Sequence, residues 1–417
     1  MSDVRAVIQE MMNKIVITDE RQQAKVVYPL LPTVIAIIIC WCSGCKNCVE
    51  VADYWSMHLN NLARIIPGFP QQAISHDTIN RLLRIIKFEE LNKFLSDFCQ
   101  KLIEADKLHS ESGQSRRILS LDGQTPKAME YEPKKDSNGQ VNADRRTYNR
   151  TYYVTLQDTT NKISMAQDEV KNKENENKAC ERLIDLFSLD DCVVTADALN
   201  TQRGLAAKII AKNGDYCLAL KDNHKSLCKA VREVFEQYGD EALSYETDYE
   251  KEQGRLEKRT VLALPVTLVK KRVLGEWAQD ANTIFLAITE SKIQKYGQQR
   301  EKEVRLFISS LDFDTPNIAQ LGYEAIRRHW GIENSLHWVL DMDYHQDLSQ
   351  MKNRNFIRNK LVMNKISLNI VRLVQKKLSR ASETVSVRRT LKMISYNPSL
   401  AIEGMKSYFL ANGGKII

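Results

Sequence analysis

Residues 192–220, CVVTADALNTQRGLAAKIIAKNGDYCLAL, decide the fold. Residues 192–196 are a short apolar run rich in β-branched side chains, and the run ends on Asp197. Residues 201–211 carry apolar side chains at helical spacing, and 216–220 return to a strand-like run. Working outward, residues 180–187 read as a helix, and 152–157 with 162–167 as a hairpin across Asp158–Asn161. Residues 117–121 read as a strand ending at Asp122-Gly123. Strand, hairpin, helix, strand, helix, strand predicts a mixed α/β domain with helices laid against a sheet.

The flanks differ in character. Residues 26–98 read as helical, with a Pro/Gly stop at Pro67–Pro70. Within them, Ser75 or Asp77 can cap a helix whose apolar face is Ile79, Leu82, Leu83 and Ile86. This predicts a small all-α domain over residues 1–110. Downstream, residues 221–314 interrupt the α/β rhythm with strand-like runs at 260–264, 283–288 and 305–308 and a charged helix at 225–238. They read as an insertion with its own sheet. Residues 318–338 and 360–378 then read as long helices. The expected organisation is a helical domain at 1–110, an α/β domain at 115–380 with an insertion at about 221–314, and a basic tail at 381–417.

Composition sets outer bounds. The chain has 417 residues, enough for two or three domains at roughly 150 residues each. Its 43% hydrophobic and 27% charged residues are ordinary for a soluble globular protein. The net charge of +7 is unevenly spread: residues 351–417 hold fourteen Lys and Arg against Glu383 and Glu403, a local +12 that leaves −5 for residues 1–350. A polyanionic partner fits that distribution, and so does a solvated lysine-rich helix face. Residues 1–13 are polar and lack the apolar core of a secretory signal, and the longest apolar run, Leu30–Cys42, is shorter than the ~20 residues that span a bilayer. A cytoplasmic protein without a membrane role is expected. The nine cysteines are odd in number and scattered, which argues for reduced thiols. Cys42, Cys45 and Cys48 form a C-x-x-C-x-x-C run, but a zinc site wants four ligands and no second C-x-x-C follows. Buried free cysteines fit the apolar context better.

Three acids stand out by position. Asp122 and Asp197 each end an expected strand, and acids at strand ends project into a shared crevice. Glu333 lies on an expected helix, with His337 and Asp341 following at four-residue spacing on one face. Converging carboxylates repel unless cations offset them, and carboxylate oxygens suit Mg²⁺. By position alone the two aspartates read equally as turn or cap acids. The density of acidic, basic and imidazole groups around Glu333, with Arg327 and Arg328 just before it, favours a metal-phosphate site.

The ordered blocks then carry a family resemblance. Asp19-x-Arg21, Tyr28-Pro-Leu and Ser75-His-Asp-Thr78 stand near the start. Leu121-Asp-Gly-Gln124, Thr195-Ala-Asp-Ala198 and Ala219-Leu-Lys-Asp-Asn223 follow, and then Gly254-Arg255-x-Glu257-x-Arg259. The most specific block is Arg328-His-Trp-Gly-Ile-Glu333-Asn-Ser-Leu-His337-Trp-Val-Leu-Asp341, continued by Asp347, Asn355, Asn359 and Asn369. Together these resemble the DDE transposases of bacterial insertion sequences, of the H-repeat-associated type, over most of the chain. Here His329 stands where broader relatives carry arginine, Leu340 where they carry lysine, and Gln124 and Gln253 where this type usually has lysine and histidine.

The resemblance implies a ribonuclease-H-like catalytic domain with a strand-rich insertion, preceded by the all-α domain. It implies Asp122, Asp197 and Glu333 as the catalytic and metal-binding triad, with two Mg²⁺ ions and Mn²⁺ as a substitute. The activity implied is cleavage of DNA at the ends of an insertion sequence and strand transfer into target DNA. The partners implied are double-stranded DNA and, in the DNA complex, a second copy of the chain, with localisation at the nucleoid. Candidate DNA contacts are Lys127, Lys134, Lys135, Arg145, Arg146 and Arg150, with Tyr148, Tyr152 and Tyr153 interleaved. Arg255, Arg259, Arg328, His329, His337, Lys352, Arg354, Arg358 and Lys360 extend that set. Residues 78–87, with Asn80, Arg81 and Arg84, form a candidate recognition helix. Two other functions fit the same residues: an inactive transposase-derived DNA-binding protein, and a metal-dependent nuclease that cuts without joining.

Overall fold

Apolar residues that alternate along 117–121 and 192–196 build one sheet with two dry faces. Ile118, Val193 and Cys217 belong to one apolar cluster, whereas Leu119, Leu121, Val194, Ala196 and Leu218 belong to another, as a period of two requires. The computed structural model describes residues 2–107, 116–126, 130–135, 141–149, 152–170, 175–252, 255–293, 302–348, 351–379 and 385–409.

Six helices come first: α1 (Ser2–Lys14), α2 (Leu30–Cys42), α3 (Cys48–Met57), α4 (Leu59–Ile65), α5 (His76–Ile85) and α6 (Phe88–Lys107). The central segment runs β1 (Arg117–Gln124), β2 (Glu130–Lys135), β3 (Val141–Asn149), β4 (Tyr153–Asp158), β5 (Ile163–Glu169), α7 (Glu176–Asp185), β6 (Cys192–Ala196), α8 (Arg203–Ala211) and β7 (Asp215–Leu220). Next come α9 (Lys225–Tyr238), β8 (Leu243–Glu246), β9 (Glu250–Glu252), β10 (Arg255–Pro265), α10 (Lys271–Leu274), β11 (Thr283–Ile293) and β12 (Glu303–Ser309). The chain continues with α11 (Ile318–His329), α12 (Trp338–Asp343), α13 (Arg354–Leu378), α14 (Val387–Tyr396) and α15 (Ser399–Phe409). Among the described residues no helix is long and apolar enough to cross a membrane.

The strands form one mixed sheet in the order β5-β4-β1-β6-β7-β12-β11-β10-β8, with β9 also on β10. β1, β6 and β7 are parallel neighbours, and β4 and β5 extend the sheet antiparallel on the β1 side. The insertion does not build a separate sheet, as its sequence led us to expect. Leu306–Ser309 of β12 pairs antiparallel with Cys217–Leu220 of β7, so the inserted strands continue the main sheet. A parallel edge strand leaves unpaired N–H and C=O groups, and β12 satisfies them. The basic stretch between β1 and β4, read as a polar segment, contains the separate β2-β3 hairpin. The basic C-terminal segment folds into α14 and α15, which bury Leu391, Ile394, Ile402 and Met405.

α11 covers one face of the sheet, touching β1, β6, β10 and β8. It lies close because Gly322 packs directly on the Phe285 ring of β11, where a Cβ would overlap the ring. Gly322→Ala is therefore expected to cost about 1–3 kcal/mol by overpacking. Urea denaturation checks this, and an unchanged midpoint would refute the close packing.

On the other side, α13 is the beam between the helical start and the sheet, packing on α2, α5, α6 and β5. Its asparagines explain three of the motif residues. Asn355 and Asn359 Nδ2 both donate to the Ile86 carbonyl at 2.8 Å, and Asn359 also reaches Leu83 O at 2.9 Å, closing the end of α5. Asn369 pairs with the backbone of Ser164 on β5, accepting from N at 2.9 Å and donating to O at 2.8 Å. The cysteines of the C-x-x-C-x-x-C run are buried thiols with separate partners. Cys42 donates to Ser367 O, Cys45 to Glu50 O and Cys48 to Asn80 Oδ1. Burial pushes the Cys42 and Cys45 thiols up to about 12, so they remain protonated.

Candidate active site

The parallel register of β1 and β6 pairs Leu121 with Ala196. One residue further stand Asp122 and Asp197 as lateral neighbours: Asp197 directly follows β6, whereas β1 runs on to Gln124, two residues past the end expected at Asp122. Alternation puts them on the face that α11 covers. Ile118 and Val193 lie in the α11 core, Ser120 Oγ and Thr195 Oγ1 hydrogen-bond at 2.9 Å, and the aspartates come next in the same parity.

Each aspartate is held in place. Gly123 N donates to Asp122 Oδ1 at 2.9 Å, and His337 Nε2 lies 3.1 Å from Asp122 Oδ2. Asp197 caps the short turn Ala198–Asn200, accepting from Asn200 N at 3.1 Å and from Asn200 Nδ2 at 2.9 Å. His329 ends α11 close by, its Nδ1 3.2 Å from Thr195 Oγ1. Burial holds its imidazole below the usual pKa, against the opposing pull of Asp122 and Asp197, so it is neutral at pH 7.

A third acid borders this pair. Glu176, the first residue of α7, accepts from Asn200 Nδ2 at 3.1 Å. Burial raises its pKa, and the charges of Asp197 and Asp122 add to the rise. No spacing in the sequence singles it out, because only the packing of α7 brings its start to the ends of β1 and β6.

Glu333 is placed differently. Residues Glu333–His337 form a single π-helical turn before α12. That wider turn ends the four-residue alignment expected of Glu333, His337 and Asp341. His337 turns inward to Asp122 with 14% of its side chain exposed, whereas Glu333 is exposed and its carboxylate has no hydrogen bond or ion pair among the described residues. Glu333 lines a groove of about 320 Å³ with Arg255, Arg259, Arg305, Arg327 and Trp330. The Arg305 guanidinium stacks 4.3 Å above the Trp330 ring. Arg305 and Trp330 were not among the expected contacts, although Trp330 sits inside the most specific block.

The remaining candidates scatter. Arg259 is largely buried and pairs with Glu250 at 3.3 Å and Glu257 at 2.5 Å. Arg328 is half-buried, and its guanidinium makes no hydrogen bond or ion pair among the described residues. Lys352 is exposed, but Arg354 and Arg358 both pair with the buried Glu169 and Lys360 is buried, so three of these four cations face inward. Arg145 and Arg146 lie on β3, and Lys134 and Lys135 on β2, while Lys127 and Arg150 fall outside the described residues. Tyr148 is on β3 and Tyr152 is exposed, but Tyr153 packs with Ile357 and Leu361 and is not available for stacking. On α5, Arg81 and Arg84 are exposed and Asn80 is half-buried against Cys48.

The aspartate pair offers hard oxygen ligands of the kind that bind Mg²⁺. Among the described residues no three His, Cys, Asp or Glu side chains already converge as a metal-binding set. Their oxygens are turned to the hydrogen bonds above. Two buried polar atoms here, His337 Nδ1 and Asn200 Oδ1, have no hydrogen-bond partner. The donor chemistry thus fits a divalent cation, once side chains rotate toward it.

Residues 113–370 match the family described as Transposase DDE domain, and residues 15–99 match the one described as DDE_Tnp_1-associated. The chain belongs to the DDE transposases. Within them it is of the H-repeat-associated type of bacterial insertion sequences. YncI of Escherichia coli O157:H7, named as a transposase, is 27% identical over 86% of this chain and 85% of its own length. YhhI of Escherichia coli (strain K12), named as an H repeat-associated transposase, is 26% identical over 82% of this chain and 84% of its own. A solved piggyBac transposase synaptic complex with hairpin DNA aligns with 99% of this chain and 80% of that chain at 11% identity. Its TM-score of 0.39 is too low for any detail of this site to rest on it.

Proposed function

We propose that this transposase cleaves DNA at the ends of an insertion sequence and joins the freed 3′ end to target DNA, with Asp122, Asp197 and Glu333 as its catalytic acids. The observation that carries this reading is the pair of aspartates at the carboxyl ends of adjacent parallel strands, in a chain of this family. We read β5-β4-β1-β6-β7 as a ribonuclease-H-like core, with residues 1–110 a helical DNA-end or dimerisation domain and residues 115–380 the catalytic domain.

Bound Mg²⁺, two ions with Mn²⁺ as a substitute, supplies activation of the attacking oxygen and charge neutralisation at the phosphate. Asp122 and Asp197 would be among the residues that hold it. His337 holds Asp122 Oδ2 and Asn200 holds Asp197 Oδ1, so each carboxylate keeps its place at the strand ends until it rotates toward a cation. Arg255, Arg305 and Arg327 offer cations to the DNA backbone along the groove, Trp330 offers a stacking surface, and Glu333 enters the site from that groove. Each transfer is an in-line displacement, first by water and then by the freed 3′-OH, so positioning supplies most of the rate. Joining two element ends calls for two copies of the chain on DNA.

A supercoiled plasmid carrying the element ends, incubated with protein and Mg²⁺, tests the reading. Joined products support it. Binding without cleavage would replace it with a DNA-binding protein, and cleavage without joining with a nuclease. His337→Ala is expected to slow cleavage about 10–100-fold through loss of the Asp122 contact, with the fold intact. Wild-type rates in that variant would remove His337 from the site.

A further inference from the structure

We propose that Glu176 is a third metal-binding carboxylate of this site, joining Asp122 and Asp197 in the DNA-free protein once the three side chains rotate toward the ion. The inference rests on the proposed metal-dependent chemistry and adds a ligand to it.

Geometry is the first support. α7 approaches the sheet from the face opposite α11, and its start reaches the carboxyl ends of β1 and β6. Gly123 makes the approach possible: a Cβ there would lie 2.9 Å from Glu176 Oε1. A Cβ at position 123 would thus push the carboxylate end of Glu176 aside. Asn200, only 1% exposed, bridges the acids by donating Nδ2 to Glu176 Oε2 at 3.1 Å and to Asp197 Oδ1 at 2.9 Å. Its Oδ1 is buried in the same place with no partner. That atom is a neutral oxygen ligand of the kind divalent cations accept alongside carboxylates.

Charge is the second support, and it is independent. Other enclosed acids of this protein are matched by arginine. Asp158 has Arg117 at 3.2 Å, Asp280 has Arg203 at 2.8 Å, Asp343 has Arg388 at 3.0 Å, and Glu169 has Arg354 and Arg358. Among the described residues no lysine or arginine pairs with Asp122, Asp197 or Glu176. Three neighbouring carboxylates without a cation are unfavourable unless one comes from solution.

The test is Mn²⁺ binding to the full-length, DNA-free protein, followed by loss of the free-ion electron paramagnetic resonance signal, with thermal melting run with and without Mn²⁺. Glu176→Gln keeps size and loses charge. It is expected to weaken Mn²⁺ binding more than about 10-fold, as Asp122→Asn does. It is also expected to raise the metal-free melting temperature by about 2–4 °C through relief of repulsion, an effect that loss of a merely structural contact would reverse. Gly123→Ala, which displaces Glu176 without altering charge, is expected to weaken binding in the same direction. Wild-type Mn²⁺ affinity in Glu176→Gln, with Asp122→Asn impaired, overturns the inference and leaves the proposed function standing. Wild-type affinity in both Asp122→Asn and Asp197→Asn overturns the metal reading itself.

Discussion

Asp122→Asn and Asp197→Asn are each expected to lower Mg²⁺-dependent cleavage of element ends by on the order of 10³-fold or more, while DNA binding changes little. Asparagine keeps the shape of each side chain, so Gly123 N retains its acceptor at 122 and Asn200 N retains its acceptor at 197. The negative charge is lost, and with it the attraction that would hold a divalent cation. In the proposed reading DNA affinity would rest instead on cations of the groove such as Arg255 and Arg327, which these changes leave in place. Glu333→Gln is expected to match them in cleavage. Gel-resolved cleavage of a labelled end, with binding measured on the same DNA, separates the effects. Retained cleavage in any two of the three variants would overturn the triad.

Lys365→Met is expected to stabilise the protein by about 1–4 kcal/mol at pH 7, the second large effect. Lys365 lies on α13 with 1% exposure, and its Nζ donates to Gln167 Oε1 at 2.6 Å. No carboxylate pairs with it among the described residues, and burial pushes its pKa down to about 7. The unfolded lysine titrates near its ordinary value of about 10.4. Between those values the unfolded chain holds more protons than the native one, so this lysine's penalty is full below pH 7 and fades toward pH 10. The penalty is about 4–5 kcal/mol by linkage, less about 1–3 kcal/mol for leaving Gln167 Oε1 without its donor. Buried thiols such as Cys42 and Cys217, pushed up to about 12, act oppositely. Their stabilisation is present below the unfolded thiol pKa and is lost above it. The difference between variant and wild type isolates the lysine. Urea denaturation at pH 6, 7 and 9 should show the methionine advantage shrinking as pH rises, and a constant or absent advantage would refute the assignment.

Local pattern carried much of the fold. The hairpin of β4 and β5, the strand β6 and the helix α9 announce themselves because their apolar spacing and turn residues are local properties. The β2-β3 hairpin escaped notice because its residues are basic and polar and show no alternation. α14 and α15 were hidden in a segment that charge alone marked as a tail. The insertion strands were legible as strands, but their joining to β7 was not. Edge pairing depends on which strand is left open in three dimensions, and nothing in 303–309 records it.

The same division runs through the site. By itself the sequence determined that Asp122 and Asp197 lie near the carboxyl ends of strands, that Glu333 belongs to a block dense in His, Trp and Arg, and that the chain belongs with the DDE transposases. Those are statements about neighbours along the chain, where periodicity and motif order act. Tertiary structure decided that the two aspartates abut, because that follows from the parallel register of strands separated by the β4-β5 hairpin and α7. It also decided that a π-helical turn aims His337 at Asp122 and Glu333 at the arginine groove, and that Glu176 reaches the pair through the gap at Gly123. Convergence of charge at a site depends on packing between distant segments, and one-dimensional spacing carries no term for it.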